Sequence, residues 1–102
     1  MRITQTQKDI ICETAQKYFG PDVHIWLFGS RTDDQAKGGD IDLYIEPSIQ
    51  NIATLVMARL YFLRDLHKKI GEQKIDVVLR RPDSSLDLPI YKIARQTGTM
   101  LR

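Results

Sequence analysis

Three aspartates and a glycine-serine pair could do chemistry in this chain of 102 residues. Asp40 and Asp42 begin an apolar run that predicts a strand ending at Glu46. Because side chains alternate across a strand, these two carboxylates share one face, with Cα atoms about 7 Å apart. Like charges this close require either protonation of one group or a cation between them. Oxygen ligands at a strand end suit Mg²⁺, which takes one or two carboxylates and completes its shell with water and phosphate oxygens.

The pair Gly29-Ser30 predicts a phosphate-binding turn. It follows a run at residues 23–28 that is rich in aromatic and β-branched residues and predicts a strand. Glycine lets a backbone approach phosphate oxygens closely, and exposed N–H groups can bind them. Arg31 follows the turn, and the sequence leaves open whether it contacts phosphate or is a solvated surface charge.

Asp76 is the third candidate, inside another predicted strand. An aspartate buried there without a partner is costly. If this strand neighbours the one that carries Asp40 and Asp42, three carboxylates share a surface and could hold one or two divalent ions. Two ions about 3.5–4 Å apart stabilise both the attacking and the leaving oxygen of a phosphoryl transfer. The structural alternative is a salt bridge from Asp76 to Lys74 or Arg80.

The elements that must position these groups follow from hydrophobic periodicity, in the order helix, strand, strand, helix, strand, helix. Strands are predicted at residues 23–28, 40–46 and 74–80. Helices are predicted at residues 4–19, from a cap at Ser48 or Asn51 to about residue 70, and from a cap at Asp87 or Leu88 to about residue 97. Helices that alternate with strands predict an α/β or α+β fold, in which helices cover a small mixed β-sheet.

Several side chains are predicted to face the core. The stripe of the long helix comprises Ile52, Leu55, Val56, Phe62, Leu63, Leu66 and Ile70, and the last helix contributes Ile90, Ile93 and Ala94. Trp26 and Phe28 are predicted core residues. Tyr44 falls on the carboxylate side of its strand, where it either borders the site or packs in a core. The cations of the long helix form either a solvated face or a contact surface: Arg64, His67, Lys68 and Lys69.

Composition excludes some function classes. Lysine and arginine total 15 against 13 aspartates and glutamates, and a net charge of +2 does not favour bulk binding to nucleic acid or membrane. The single cysteine, Cys12, excludes an internal disulfide and favours a reducing cytoplasm. No apolar run approaches the roughly 20 residues of a membrane helix. We expect one cytoplasmic domain over residues 1–102, without a signal peptide.

The spacing of the candidate residues resembles the signature of the polymerase-β-like nucleotidyltransferase superfamily: Gly29-Ser30, nine intervening residues, Asp40-Ile41-Asp42, and the later Asp76. The length of the chain is similar to that of the minimal nucleotidyltransferases, and the resemblance covers nearly all of it, including the close from Leu88 to Leu101. One position departs from the pattern, since Gly39 precedes Asp40 where relatives often carry serine. That change removes a possible hydrogen bond and leaves the ligands in place.

The resemblance implies a particular reaction. Asp40 and Asp42 would ligate two Mg²⁺ ions, and Asp76 would ligate one of them and help to deprotonate an acceptor hydroxyl. Gly29 and Ser30 would hold the β- and γ-phosphates of a nucleoside triphosphate, with Arg31 as a further nucleotide contact. The acceptor oxygen would attack the α-phosphorus and pyrophosphate would leave. The choice of the α-phosphorus comes from the resemblance alone.

The resemblance also implies a partner. Minimal nucleotidyltransferases are commonly encoded beside a HEPN-domain protein, an all-helical ribonuclease toxin. This chain would then be an antitoxin that forms a hetero-oligomer with the toxin and transfers AMP from ATP to a tyrosine on it. The alternative is a non-catalytic antitoxin that neutralises the toxin by complex formation. A small-molecule acceptor is less favoured because such enzymes usually carry a further helical domain, and an RNA acceptor because it usually requires more basic surface.

Overall fold

The computed structural model describes residues 3–29, 41–71, 73–82 and 85–102. Within these ranges the chain forms three helices, α1 (Gln5–Phe19), α2 (Ile52–Ile70) and α3 (Pro89–Thr97), and four strands, β1 (His24–Phe28), β2 (Ile41–Glu46), β3 (Ile75–Leu79) and β4 (Thr99–Met100). The α+β class predicted from the sequence is confirmed. None of these helices combines the length and the apolarity needed to cross a membrane.

The sheet is mixed, with strand order β3-β2-β1-β4. β1 is antiparallel to both β2 and β4, whereas β2 and β3 are parallel. The parallel pair requires a crossover, which α2 supplies between the two strands. The sequence did not predict β4, because two residues are too few to show an alternating pattern; pairing with Trp26 and Leu27 makes Thr99–Met100 a strand.

Local sequence accounts for the helix starts. Thr4 caps α1 in a capping box: its Oγ1 accepts from Gln7 N at 3.0 Å, and Gln7 Oε1 accepts from Thr4 N at 2.9 Å. Asn51 caps α2 by accepting from Thr54 N at 2.9 Å. Leu88 occupies the cap position of α3 without a side-chain hydrogen bond, and Pro89 stands in the first turn, where proline is tolerated.

The main hydrophobic core lies between the sheet and the two longer helices. Alternate strand residues enter it, because each strand turns every second side chain to the same face. Its fully buried members include Ile11, Ala15, Phe19, Ile25, Leu27, Ile41, Leu43, Ile45, Phe62 and Leu66. A smaller cluster on the opposite face of the sheet joins Phe28 and Tyr44 to Ala94 of α3, with Trp26, Val78 and Tyr91 packed at its margin. Trp26 and Phe28 therefore belong to the second cluster.

The predicted helix stripes are partly wrong. On α2 the buried residues are Leu55, Ala58, Phe62 and Leu66, whereas Ile52 and Val56 are 59% and 55% exposed. Val56 is turned about 100° around the helix from Leu55, which takes it off the face that α1 and the sheet cover. On α3 only Ala94 is buried, and Ile90 and Ile93 are exposed. Apolar residues surround much of each helix, and packing selects which of them are covered.

Truncation of the main core at Phe62 should cost a large share of the stability. Phe62 is fully buried and packs edge-on against Phe19, with ring centroids 5.1 Å apart. We expect Phe62→Ala to lower the free energy of unfolding by about 3–5 kcal/mol, measured by chemical denaturation, because it removes buried contacts and leaves a cavity. The control is Leu60→Ala on the same helix, where a side chain 54% exposed should change stability by no more than about 0.5 kcal/mol. Equal losses in the two variants would contradict the assignment of the core.

Candidate functional site

Asp42 and Asp76 lie side by side on neighbouring strands. The parallel register pairs Ile41 with Ile75 and Asp42 with Asp76. Neighbouring strands are about 4.8 Å apart, and paired residues of a parallel ladder point to the same face. Since Ile41 and Ile75 belong to the main core, both carboxylates emerge on the opposite face, which also carries α3. The pairing brings together two of the three aspartates singled out in the sequence.

Gly29 completes this corner of the sheet. It follows β1, and its neighbour Phe28 pairs with Asp42 across the antiparallel ladder. The φ angle of Gly29 is +75°, a conformation that favours glycine, and a Cβ added at this position would overlap Asp42 Oδ2. Glycine is therefore required twice here, by the backbone conformation and by the contact with the carboxylate. The predicted turn residue and two predicted carboxylates meet at one place.

The other three predicted site residues, Asp40, Ser30 and Arg31, lie outside the described residues. Their roles as metal ligand and phosphate contacts therefore stay predictions. In the part of the chain that the structure describes, no three His, Cys, Asp or Glu side chains form a group that could hold a metal ion. The described part of the site consists of Gly29, Asp42 and Asp76.

Asp76 is the more accessible member of the carboxylate pair. Its side chain is 53% exposed, and Lys74 Nζ lies 4.0 Å from Asp76 Oδ2. An exposed ion pair at this distance contributes little stability. Arg80, the other partner considered from the sequence, donates instead to Leu86 O at 3.2 Å and lies 3.4 Å from Asp87. Asp76 thus has no buried structural role, and its carboxylate is open to a ligand from solvent.

The donor chemistry of the pair fits a hard divalent cation. Two carboxylates on adjacent strands present only oxygen ligands, and one or two carboxylates are what Mg²⁺ takes from a protein when substrate phosphates and water supply the rest of its shell. A divalent cation also removes the repulsion between two carboxylates held side by side. Asp42 and Asp76 are the described residues that would hold such an ion.

A polar network further along the same face fastens α3 to the sheet. Tyr44 Oη donates to Glu46 Oε2 at 2.5 Å and accepts from Arg95 Nη1 at 3.0 Å. Arg95 Nη2 donates to both carboxylate oxygens of Asp87, at 2.9 and 3.0 Å. Tyr44 lies on the carboxylate side, as predicted, but it is fully buried and packs against Tyr91 at a centroid distance of 5.6 Å. Its part is to seat α3 on the sheet.

The network shifts the pKa values of Tyr44 and Asp87. Burial, and then the hydrogen bond to Glu46, raises the pKa of the Tyr44 hydroxyl above its usual value. The hydrogen bonds from Arg95 hold the pKa of Asp87 below its usual value. Sequence reasoning treated Asp87 only as a helix cap and did not single out Arg95. The two residues are eight apart, beyond the spacing at which helix neighbours pair, so periodicity offers no signal for their contact.

Comparison with known proteins does not add a family to these observations. No protein-family model matches the chain, and neither does any curated protein. The resemblance to minimal nucleotidyltransferases therefore rests on the residues themselves, of which Gly29, Asp42 and Asp76 are placed by the structure.

Substitution of Gly29 tests its contact with Asp42. Gly29→Ala should lower the free energy of unfolding by more than Gly71→Ala does, measured by chemical denaturation. Both glycines have positive φ, so each alanine bears a backbone cost of about 1–2 kcal/mol. Only at Gly29 does the added methyl group also overlap a side chain, since nothing lies within 4 Å at Gly71.

A double-mutant cycle identifies the cause of the excess cost. In the Asp42→Ala background the methyl group of Gly29→Ala no longer meets a carboxylate, and the difference from Gly71→Ala should disappear. An excess that persists in that background would show that Asp42 does not lie over Gly29.

The ion pair that fastens α3 should make stability depend on pH in the acid range. Because the pKa of Asp87 is lowered in the folded state, its stabilising contribution is present above the unfolded value of about 3.8 and is lost as the pH falls through the lowered folded value. The difference in free energy of unfolding between the wild type and Asp87→Asn should be largest near neutral pH and shrink below about pH 4. The exposed Asp22→Asn is the control and should show a much smaller difference at neutral pH. A difference for Asp87→Asn that is constant with pH would contradict the ion pair.

Proposed function

We propose that this chain is a magnesium-dependent nucleotidyltransferase of the minimal polymerase-β-like type, which transfers AMP from ATP to a hydroxyl group on a partner protein. The observation that carries the proposal is the pairing of Asp42 with Asp76 on one face of the sheet, beside the glycine turn after β1. Carboxylates placed side by side next to a glycine at the end of a strand are suited to holding a metal ion and a phosphate chain together.

Each residue has a definite part in this proposal. Asp42 and Asp76, with Asp40 added from the sequence, hold one or two Mg²⁺ ions. When bound, magnesium neutralises the charge that develops on the phosphate oxygens during transfer. Gly29 and Ser30 orient the β- and γ-phosphates, so that the α-phosphorus faces the acceptor. Asp76, the exposed carboxylate, takes up the proton of the acceptor hydroxyl as its oxygen bonds to the α-phosphorus and pyrophosphate leaves.

The proposed partner is a HEPN-domain ribonuclease toxin, and the setting is the cytoplasm. This part of the proposal derives from the resemblance alone. Transfer of AMP to a tyrosine of the toxin would make the chain an antitoxin that acts enzymatically, within a hetero-oligomer.

A second candidate function, a non-catalytic antitoxin, is favoured by a different observation. The helix α2 exposes five large apolar side chains on one face: Ile52, Val56, Met57, Leu60 and Tyr61. An apolar surface of this kind is typical of a protein–protein contact. A module that neutralises its partner by covering it needs such a surface and does not need Asp42 or Asp76.

Label transfer from ATP separates the two functions. The protein is incubated with ATP labelled at the α-phosphate, Mg²⁺ and the cognate toxin, and the label on the toxin is measured. We expect transfer by the wild type and a loss of at least about a hundredfold in Asp42→Asn and in Asp76→Asn, because stabilisation of the transferring phosphoryl group is worth several kcal/mol and each 1.36 kcal/mol is tenfold.

The matched control is Asp22→Asn, an exposed aspartate in the turn before β1, which should retain full transfer. Undiminished transfer by both site variants would refute the proposed site. If the wild type transfers no label and yet neutralises the toxin, and the site variants neutralise it equally well, the non-catalytic function is correct.

A further inference from the structure

The outer face of α2 has the form of a helix-docking surface. It comprises Ile52, Val56, Met57, Leu60 and Tyr61, which are 39–59% exposed, together with the small exposed Ala53 between them. The opposite side of the same helix already supplies Leu55, Ala58, Phe62 and Leu66 to the main core. Over its first three turns α2 is therefore apolar on both sides, whereas a surface helix normally turns a polar face to water.

The apolar side chains form two rows along the helix. Ile52, Val56 and Leu60 follow one another at intervals of four residues, and Ala53, Met57 and Tyr61 form the adjacent row. Rows at this interval are the ridges that interdigitate when two helices pack. Beside the second row a groove of about 450 Å³ lies between α1 and α2, lined by Tyr18, Met57 and Tyr61 among others. The surface can accept a ridge of side chains from another helix.

The margin of this face is cationic. Lys17 Nζ lies 5.2 Å from the ring centroid of Tyr18, and Arg64 Cζ lies 4.9 Å from that of Tyr61. Lys68 is exposed one turn beyond Arg64. The nearby acid, Asp65, is only 15% exposed and is already engaged by Tyr18 Oη at 2.5 Å and Arg64 Nε at 3.1 Å. An apolar centre with tyrosine, methionine and arginine at its edge has the composition of an interface core.

A second copy of the chain complements this face poorly. In a parallel pairing of two α2 helices, Lys68 of one copy would meet Lys68 of the other, and Arg64, which pairs with Asp65 of its own copy at 3.1 Å, would meet Arg64. In an antiparallel pairing they would meet the N-terminal end of the other α2, whose helix dipole is also positive. Repulsion between cations at the margin would oppose either arrangement. Acidic side chains of a partner, placed at the same margin, would instead pair with these cations.

We propose that the outer face of α2 binds an amphipathic helix of a partner protein, whose apolar stripe is flanked by aspartate or glutamate. Since α2 packs on the core side of the sheet, this surface lies on the opposite side from Asp42 and Asp76. A partner helix bound there leaves the carboxylates accessible. The proposal therefore goes beyond the nucleotidyltransferase activity and does not depend on it, and it specifies the surface that the non-catalytic function would use.

The test uses three fluorescein-labelled helical peptides of about 18 residues with one sequence framework. The first has a leucine and isoleucine stripe flanked by glutamate, the second has lysine in place of every glutamate, and the third has serine in place of the stripe. Fluorescence anisotropy with the whole chain should show binding of the first peptide and at least tenfold weaker binding of the other two. No binding of the first peptide, or equal binding of the second, overturns the proposal.

Variants of the chain locate the bound peptide. Val56→Ser with Leu60→Ser should weaken binding of the first peptide at least tenfold, and Lys17→Glu should weaken it while improving binding of the lysine peptide. The matched control is Ile93→Ser, which alters a similarly exposed isoleucine on α3 and should leave binding unchanged. Chemical denaturation of each variant verifies that it is folded. Loss of binding in Ile93→Ser, or undiminished binding in the α2 variants, would place the peptide elsewhere and overturn the proposal.

Two further measurements distinguish the proposed α2 surface from the carboxylate site and from a dimer interface. Asp42→Asn with Asp76→Asn should bind the first peptide as tightly as the wild type does. Peptide binding can therefore be observed even if the chain proves to have no nucleotidyltransferase activity. Sedimentation equilibrium should show a monomer for the chain alone. A dimer that Val56→Ser with Leu60→Ser dissociates would identify a second copy as the occupant and overturn the proposal.

Discussion

The parallel pairing of β2 with β3 is the constraint on which the candidate site depends. Asp42 and Asp76 are 34 positions apart in the chain and meet because α2 carries the chain back so that β3 runs beside β2 in the same direction. Pairing in this register sets the two residues directly opposite each other. A shift of one residue would turn Asp76 into the core and replace it by Ile75 or Val77 on the site face. The buried isoleucines on the other face therefore hold the carboxylates in place.

The two faces of the sheet have different roles: one carries the main hydrophobic core and the other carries the candidate site. The face toward α1 and α2 is filled by aliphatic and aromatic side chains and provides most of the buried apolar surface. Among the described residues, the nine-residue helix α3 packs on the other face, which holds the carboxylate pair at one end and the network of Tyr44, Arg95 and Asp87 at the other. Most of the buried apolar surface therefore lies on one side of the sheet, and the polar groups of the candidate site lie on the other.

The helix α2 links the two proposals made for this protein. Its inner side positions β3, and through it Asp76, while its outer side presents an apolar surface with cations at its margin. Partner binding and phosphoryl transfer would then use opposite sides of one sheet. Such a division lets a chain of this size bind a protein and still expose its carboxylates.

Sequence alone determined the α+β class, the start of α1 at its capping box, and the placement of Asp42 and Tyr44 on the polar side of β2, because these depend on interactions between residues close in the chain. It also singled out Gly29 and Asp76 by residue type. Only the tertiary structure decided that Asp76 lies beside Asp42, that Asp42 closes over Gly29, that Arg95 pairs with Asp87, and that Thr99–Met100 forms a strand. It also decided that Ile52, Val56, Ile90 and Ile93 face outward. The physical reason is the same throughout: periodicity shows which side chains share a side of an element, whereas the sides that are covered depend on contacts between residues distant in the chain.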